Sequence, residues 1–412
     1  VQVADLRDYI HWRGDLSFGR DPFNLVDNLI FSWLAYVDFT DCVPRLGEPG
    51  TVTLGQACET FYRLHDEKQL AADKSFVASA PYVLRECAKQ PRFRHIRLGS
   101  WQKIYDEQMQ TQFAAVTFVL PDGTWYAAFQ GTDDTIIGWK ENFNMSFLTP
   151  VPGQKLAAEY LNALDPPRQV RLRVGGHSKG GNLACYGALH AQEQVQDRIV
   201  HIYDNDGPGF ESTAEYSKAA GRIAGRITKI VPQYSIIGFL MENTGNYRIV
   251  KSSGVRVMQH DATTWQVMGT DFEYADDLDE NAKIWNAAIN KWCYSYDRSE
   301  RQKFVDSVFE LVTASGASTL TDINNAFFKS AGASFRKLAD LSPDKKRSVL
   351  GTFASLYAEY FRERSNRHIL DITELVKNMQ GRGAHPAIPG GPVRLLKNPD
   401  TGAENSEPSE ER

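Results

Sequence analysis

Val170-Arg-Leu-Arg-Val-Gly-Gly-His-Ser-Lys-Gly-Gly-Asn-Leu-Ala184 places an apolar run, Val170 to Val174, directly before a glycine-rich turn and a helical pattern from Asn182 to Gln192. Within the turn, Gly176-His177-Ser178-Lys179-Gly180 matches G-x-S-x-G, in which a serine sits on a sharp strand-to-helix bend. The reason is steric. The serine backbone is held in strained geometry, and glycine two residues to either side lets neighbouring chains approach. Ser178 is thereby presented as a candidate nucleophile. The following helix points its N-terminus at the same place, where its dipole and free N–H groups favour developing negative charge.

Outward from this turn the chain alternates between two periods. Phe113 to Leu120 and Thr124 to Phe129 read as strands joined by the hairpin turn Pro121-Asp122-Gly123. Further strand-like runs are Ile199 to Tyr203, Ile227 to Val231, Tyr247 to Val250 and Val255 to Met258, with helical patterns such as Leu156 to Leu164 between several of them. That alternation predicts an α/β class fold, a mostly parallel sheet covered by helices on both faces. Before it, residues 1–110 read as a helical cap or layer, with Leu29, Ile30, Trp33, Leu34 and Val37 on one helix face, and strands are expected only from Phe113 onward. The core then spans 111–275. Residues 276–380 form a C-terminal helical region whose Trp285, Trp292, Phe304 and Tyr360 stripes belong to packing. The proline- and glycine-rich segment 381–412 reads as a disordered tail.

Composition narrows the function classes. Of 412 residues, 42% are hydrophobic and 24% charged, with 46 basic against 51 acidic side chains and a net charge of -5. Such a chain lacks the clustered basic charge that nucleic acid or an anionic membrane requires, so neither is expected as a partner. No run approaches the ~18 apolar residues of a membrane span. Five scattered cysteines without a C-x-x-C pair read as reduced and buried, which favours the cytoplasm; the sequence starts at Val1, so a trimmed leader stays open. Metal sites are not supported: H-E-x-x-H is absent and His65-Asp66-Glu67 lacks a partner histidine. No cofactor is called for.

A serine hydroxyl needs a base, and this motif is followed in chain order by an acid and then a histidine. Of the later histidines, His190 lies in the elbow helix, His201 at the start of a strand, His368 in the helical region and His385 in the tail. That leaves His260, expected at the end of a strand over Val255 to Gln259. Neighbouring side chains on so tight a turn diverge, so His177 and Lys179 are kept from the Ser178 hydroxyl. His177 reads as structural and Lys179 as a backbone donor to an oxyanion. The second donor is expected in Phe129-Gln-Gly-Thr132-Asp-Asp134, with Thr132 the choice, although Thr132 or Asp134 also suits a helix cap. Gly138-Trp-Lys-Glu-Asn142 would anchor this loop from beneath.

Phe129-Gln-Gly-Thr132 with Gly176-His-Ser-x-Gly-Gly-Asn-Leu-Ala184 resembles the class 3, fungal-type lipases, and more closely a bacterial lipase-like family within the α/β-hydrolases. Tyr203-Asp-Asn-Asp-Gly-Pro-Gly-Phe210 and Gln259-His260-Asp261 are similar to signatures of that family. The resemblance covers roughly residues 1–270 and implies an α/β-hydrolase core and a serine hydrolase of carboxylic esters. Class 3 lipases carry the acid in an Asp-x-Val-Pro type segment, but the corresponding Ile230-Val-Pro-Gln-Tyr-Ser-Ile-Ile237 holds no carboxylate. Asp206 is the better candidate, because it follows the strand Ile199 to Tyr203 and precedes a Gly-Pro turn. Asp204 and Asp261 remain alternatives. Aligning Gly207 with the glycine of a calcium loop puts Ile202 and Thr213 at ligand positions, which rejects calcium.

The apolar stretch Ser235 to Met241, with Ile236, Ile237, Phe239 and Leu240, is expected to line a substrate pocket or form a lid; a buried connection reads equally well. The expected ligand is a small ester with an apolar part. An acyltransferase, thioesterase or amidase would use the same nucleophile, and a catalytically silent binding protein would keep the same core. Oligomeric state is open on this reading.

Overall fold

Alternate residues of the central strands serve two different cores, which is the geometric consequence of the two-residue period of a strand. Ala114, Val116, Phe118, Tyr126 and Ala128 face one side, and Phe113, Ala115, Ala127, Phe129 and Val174 face the other. With both faces covered, the strands read as near-continuous apolar runs. The computed structural model describes residues 3–73, 75–133, 135–212, 222–243, 246–314, 351 and 354–367.

Eight strands form the main sheet: β1 (Val52–Thr53), β2 (Arg97–Asp106), β3 (Thr111–Val119), β4 (Trp125–Phe129), β5 (Leu172–His177), β6 (Ile199–Asn205), β7 (Ile227–Pro232) and β8 (Tyr247–Val250). They lie side by side in chain order. β1 to β4 pair antiparallel, and β4 to β8 pair parallel. Together with its helical layers this is an α/β-hydrolase fold.

One face is covered by α1 (Leu6–Arg13), α2 (Leu25–Leu34), α3 (Leu54–Leu64) and α5 (Ala80–Lys89), with the short α4 (Glu67–Ala72) and α6 (Pro91–Arg94) between and after them. The other carries α8 (Pro152–Ala163) and α9 (Lys179–His190), preceded by α7 (Ile136–Asn144) and followed by α10 (Glu193–Gln196). α11 (Glu280–Tyr294) and α12 (Arg298–Ala314) follow the sheet, and residues 354–364 are helical, with Tyr360 stacked on Trp285 at 4.2 Å. The first compact unit is Val1–Arg364; the second, Ser365–Arg412, is described only at 365–367, as helix. The tail expected over 381–412, with His368 and His385, lies outside the described residues.

Two expectations are corrected. Strands begin before Phe113, because β2 already runs over Arg97–Asp106. Its outer half, Gln102 to Asp106, alternates half-buried and exposed positions, so Lys103 and Tyr105 dilute the apolar signal. Val255 to Gln259 is not a strand: Arg256–His260 is a 3-10 turn closed by Met258 N–H to Val255 O at 3.1 Å. Val255, Val257 and Met258 are all exposed there, so their β-branched and apolar character marks no buried face.

Candidate active site

Strand β5 ends in the G-x-S-x-G turn, and Ser178 takes φ 58° and ψ −132°, a conformation that side-chain-bearing residues rarely hold. The glycines make this possible. A Cβ on Gly176 would lie 2.3 Å from Gly180, and one on Gly180 would lie 2.2 Å from the Phe129 carbonyl oxygen. β4, β5 and α9 therefore meet at backbone contact, and Ser178 N–H is tied to Asn205 O at 2.9 Å.

The parallel strands bring three of the expected residues to their carboxyl edge, where open α/β sheets present ligand sites. His260 Nε2 lies 2.9 Å from Ser178 Oγ, and its Nδ1 lies 2.6 Å from Asp206 Oδ2. Against an ionised Asp206, which only accepts, a neutral His260 ring carries its proton on Nδ1 and leaves Nε2 to accept from the serine. Asp206 itself has φ 56° and is fully buried. Its N–H bonds Ile230 O at 2.8 Å, and Ser235 Oγ donates to its Oδ1 at 2.5 Å. A Cβ at Gly238 would stand 2.3 Å from that Oδ1, so the acid's seat requires glycine there.

The alternative acids are engaged elsewhere. Asp204 Oδ2 receives Lys229 Nζ at 2.6 Å and its Oδ1 the Gly207 N–H at 2.7 Å, a buried ion pair that braces the turn carrying Asp206. Asp261 Oδ1 accepts from Thr263 N–H at 2.9 Å and opens the next short turn. Asn205 is braced from the other face, donating to Ser32 Oγ on α2 and to Gly176 O, each at 3.0 Å.

His177 has a place that sequence reading did not foresee. Its Nε2 donates to the His260 backbone carbonyl at 2.8 Å, while Tyr36 OH meets its Nδ1 at 3.0 Å. Burial first, and the neighbouring His260 second, hold its pKa well below the ordinary value, so the ring is neutral. The ring of Phe76 stacks on His260 at 5.5 Å, and Trp265 Nε1 donates to Gln259 O at 2.8 Å. Phe76 carried no sequence signal, since Phe76 and Val77 are two adjacent apolar residues between Asp73-Lys-Ser75 and Ala78-Ser79, too short a run to show a helical or strand period.

Lys179 opens α9, so its N–H is among the first four donors that have no intrahelical acceptor. Its side chain is fully buried, with Nζ 2.9 Å from Glu141 Oε2, 2.6 Å from Gln112 O and 2.8 Å from Gln112 Oε1. Glu141 in turn accepts from Thr111 Oγ1 at 2.6 Å and Gly153 N–H at 2.8 Å. Thr132 is buried in the loop after β4, and Asn142 Nδ2 donates to its Oγ1 at 2.5 Å. The 138–142 segment thus reaches both the loop and the elbow helix.

Ile237 and Leu240 line an apolar pocket of about 150 Å³ with Trp139, Phe143, Pro208, Trp292 and others. Ile236 and Phe239 are not in that lining; Phe239 packs with Val231, Ile249 and Leu278 and meets the Tyr247 ring edge-on at 4.9 Å. The short apolar run folds as a 3-10 turn over Ile237–Phe239, which sends alternate side chains to different neighbours. Among the described residues no cluster of potential metal ligands occurs and no helix is long and apolar enough to cross a membrane.

Among solved structures, the chain is similar to M37 lipase at 14% identity and a TM-score of 0.29, over 51% of this chain and 68% of that one. It is similar to the Rhizomucor miehei lipase propeptide complex at 17% identity and a TM-score of 0.29, over 44% of this chain and 63% of that one. A fungal lipase–inhibitor complex aligns at 17% identity and a TM-score of 0.31, over 48% of this chain and 82% of that one. No curated protein matches the chain. The model of the Mbeg1-like family matches residues 87–310, more than half of the sequence, and the chain belongs to that family.

Proposed function

We propose that the protein is a serine hydrolase of carboxylic esters acting through an acyl-enzyme on Ser178. The observation that carries this reading is the continuous hydrogen-bonded chain Ser178 Oγ, His260, Asp206, with steps of 2.9 and 2.6 Å. Strained backbone at both Ser178 and Asp206 supports it, because such strain persists where surrounding structure holds it for a purpose.

In this mechanism His260 Nε2 takes the Ser178 proton as Oγ bonds to the ester carbonyl carbon. The carbonyl electron pair moves to oxygen, where the N–H groups of Lys179 and Thr132 and the N-terminus of α9 stabilise it. Collapse breaks the bond to the alcohol, which leaves with the proton from His260. Water then repeats the cycle on the acyl-enzyme. Asp206 keeps the proton on Nδ1 and balances the imidazolium.

The test is labelling by a fluorophosphonate probe together with turnover of nitrophenyl esters. Wild-type protein is expected to label rapidly and Ser178→Ala to lose both label and turnover by at least ~10³-fold. Turnover that survives the substitution would refute the assignment. Competition between water, alcohol and thiol for the acyl group then separates hydrolysis from acyl transfer.

A further inference from the structure

Three residues that line the apolar pocket are bonded to, or neighbours in the chain of, residues of the site. Asn142 in its wall donates to Thr132 Oγ1 at 2.5 Å, Pro208 follows Asp206 by two residues, and Ile237 adjoins Gly238, which packs on the Asp206 carboxylate. From Asn142 and Phe143 at the end of α7 the wall continues to Ser146 in the turn beyond it. Arg301 joins the lining there. Arg301 is buried, with Nη1 donating to Ser146 O and Nη2 to Glu211 Oε1 at 3.2 Å. The opposite wall comes from beyond the sheet: Ile289, Trp292 and Cys293 of α11, and Phe304 and Val305 of α12. α12 is held on α7 by Lys140 Nζ to Asp306 Oδ1 at 3.1 Å and by Phe143 against Phe309 at 5.6 Å.

We propose that this pocket receives the acyl chain of the ester and limits it to about six carbons, α11 and α12 acting as the specificity wall; this rests on the ester reading above. An apolar cavity of about 150 Å³ has room for six carbons as benzene. A longer chain has to push past Arg301, breaking charge-assisted hydrogen bonds that an alkyl group cannot replace. The C-terminal helices are therefore part of substrate choice, not only of packing.

The experiment is kcat/KM for nitrophenyl esters from acetate to hexadecanoate, using the full chain, with Ile289→Trp and Trp292→Ala. In the wild type, kcat/KM is expected to peak between butanoate and octanoate and to fall at least ten-fold by dodecanoate. Ile289→Trp fills the pocket and is expected to lower the hexanoate-to-acetate ratio at least ten-fold. Trp292→Ala enlarges it and is expected to raise the dodecanoate-to-acetate ratio by a similar factor. Acetate turnover that depends on Ser178, with a chain-length profile that neither variant moves, overturns the pocket assignment and leaves the ester reading standing. Absence of turnover of every ester overturns the ester reading itself and this assignment with it.

Discussion

His177 is hydrogen-bonded to the backbone of His260 and packs ring to ring against it, with centroids 4.7 Å apart. The ring donates to the carbonyl of His260 and accepts from Tyr36, so it fixes the backbone from which the base projects. His177→Phe keeps a ring of similar shape and removes both bonds. Because misplacing a reacting group by about 1 Å costs ~10²-fold, kcat is expected to fall by ten- to a hundred-fold with KM little changed. Steady-state kinetics decides it: an unchanged kcat, or a loss confined to KM, would remove His177 from the positioning machinery. His177→Gln retains a donor and is expected to recover part of the rate. The sequence shows this histidine but not its task, because the partner carbonyl lies 83 residues away and belongs to the backbone. Lys179 was hidden for a different reason. Lysine is almost never fully buried unless paired, and its partner Glu141 is separated from it by α8 and β5.

Among elements, the turn after β6 and the 3-10 turn at 237–239 act as one unit. Lys229 and Asp204 clamp the first, Ser235 reaches Asp206 from the approach to the second, and Gly238 leaves room for the carboxylate. Gly238→Ala puts a methyl group 2.3 Å from Asp206 Oδ1 and 2.7 Å from Ser235 Oγ. The acid must move, so kcat is expected to drop by about 10²-fold, with ~1–3 kcal/mol lost in stability from overpacking. Gly225→Ala, with nothing within 4 Å of the added group, is the control and is expected to leave both unchanged. Denaturant titration and kinetics on the two variants would expose any error, and a fully active Gly238→Ala would sink this account of the acid's seat. The elbow was legible in the sequence because close backbone contact demands glycine at fixed spacing. The delivery of His260 was legible only as a residue: chain order singled it out, while its exposed β-branched approach mimicked a strand and folded as a turn.

At the scale of the whole molecule, the alternation of strands and helical patterns was enough to foresee a sheet with both faces covered. What escaped was β2, whose polar outer half has no apolar period, and the dependence of the elbow on α2 through Asn205. Burying His177 and His201 also has a global cost. Both are held below their ordinary value near 6.5, chiefly by burial. The unfolded chain therefore binds protons that the folded chain refuses. Their contribution is constant above pH ~6.5 and is lost as pH falls below it, by up to ~1.4 kcal/mol per pH unit for the fully buried His177 and by less for the partly solvated His201. Unfolding free energies between pH 7.5 and 5.5 are expected to decline less steeply in His177→Phe than in the wild type; parallel slopes would show that this ring does not titrate on unfolding.

The strands are neighbours in space in the same sequence as they are made. During synthesis, each strand that leaves the ribosome can dock on an edge already laid down, with no gap held open for a later segment. Ser178 and Asp206 follow β5 and β6, while His260 comes 82 positions after Ser178 and beyond β8, the last strand of the main sheet. A chain ending at β8 would hold every strand of the main sheet and Ser178 without His260, so on the proposed mechanism its hydroxyl would still lack a base.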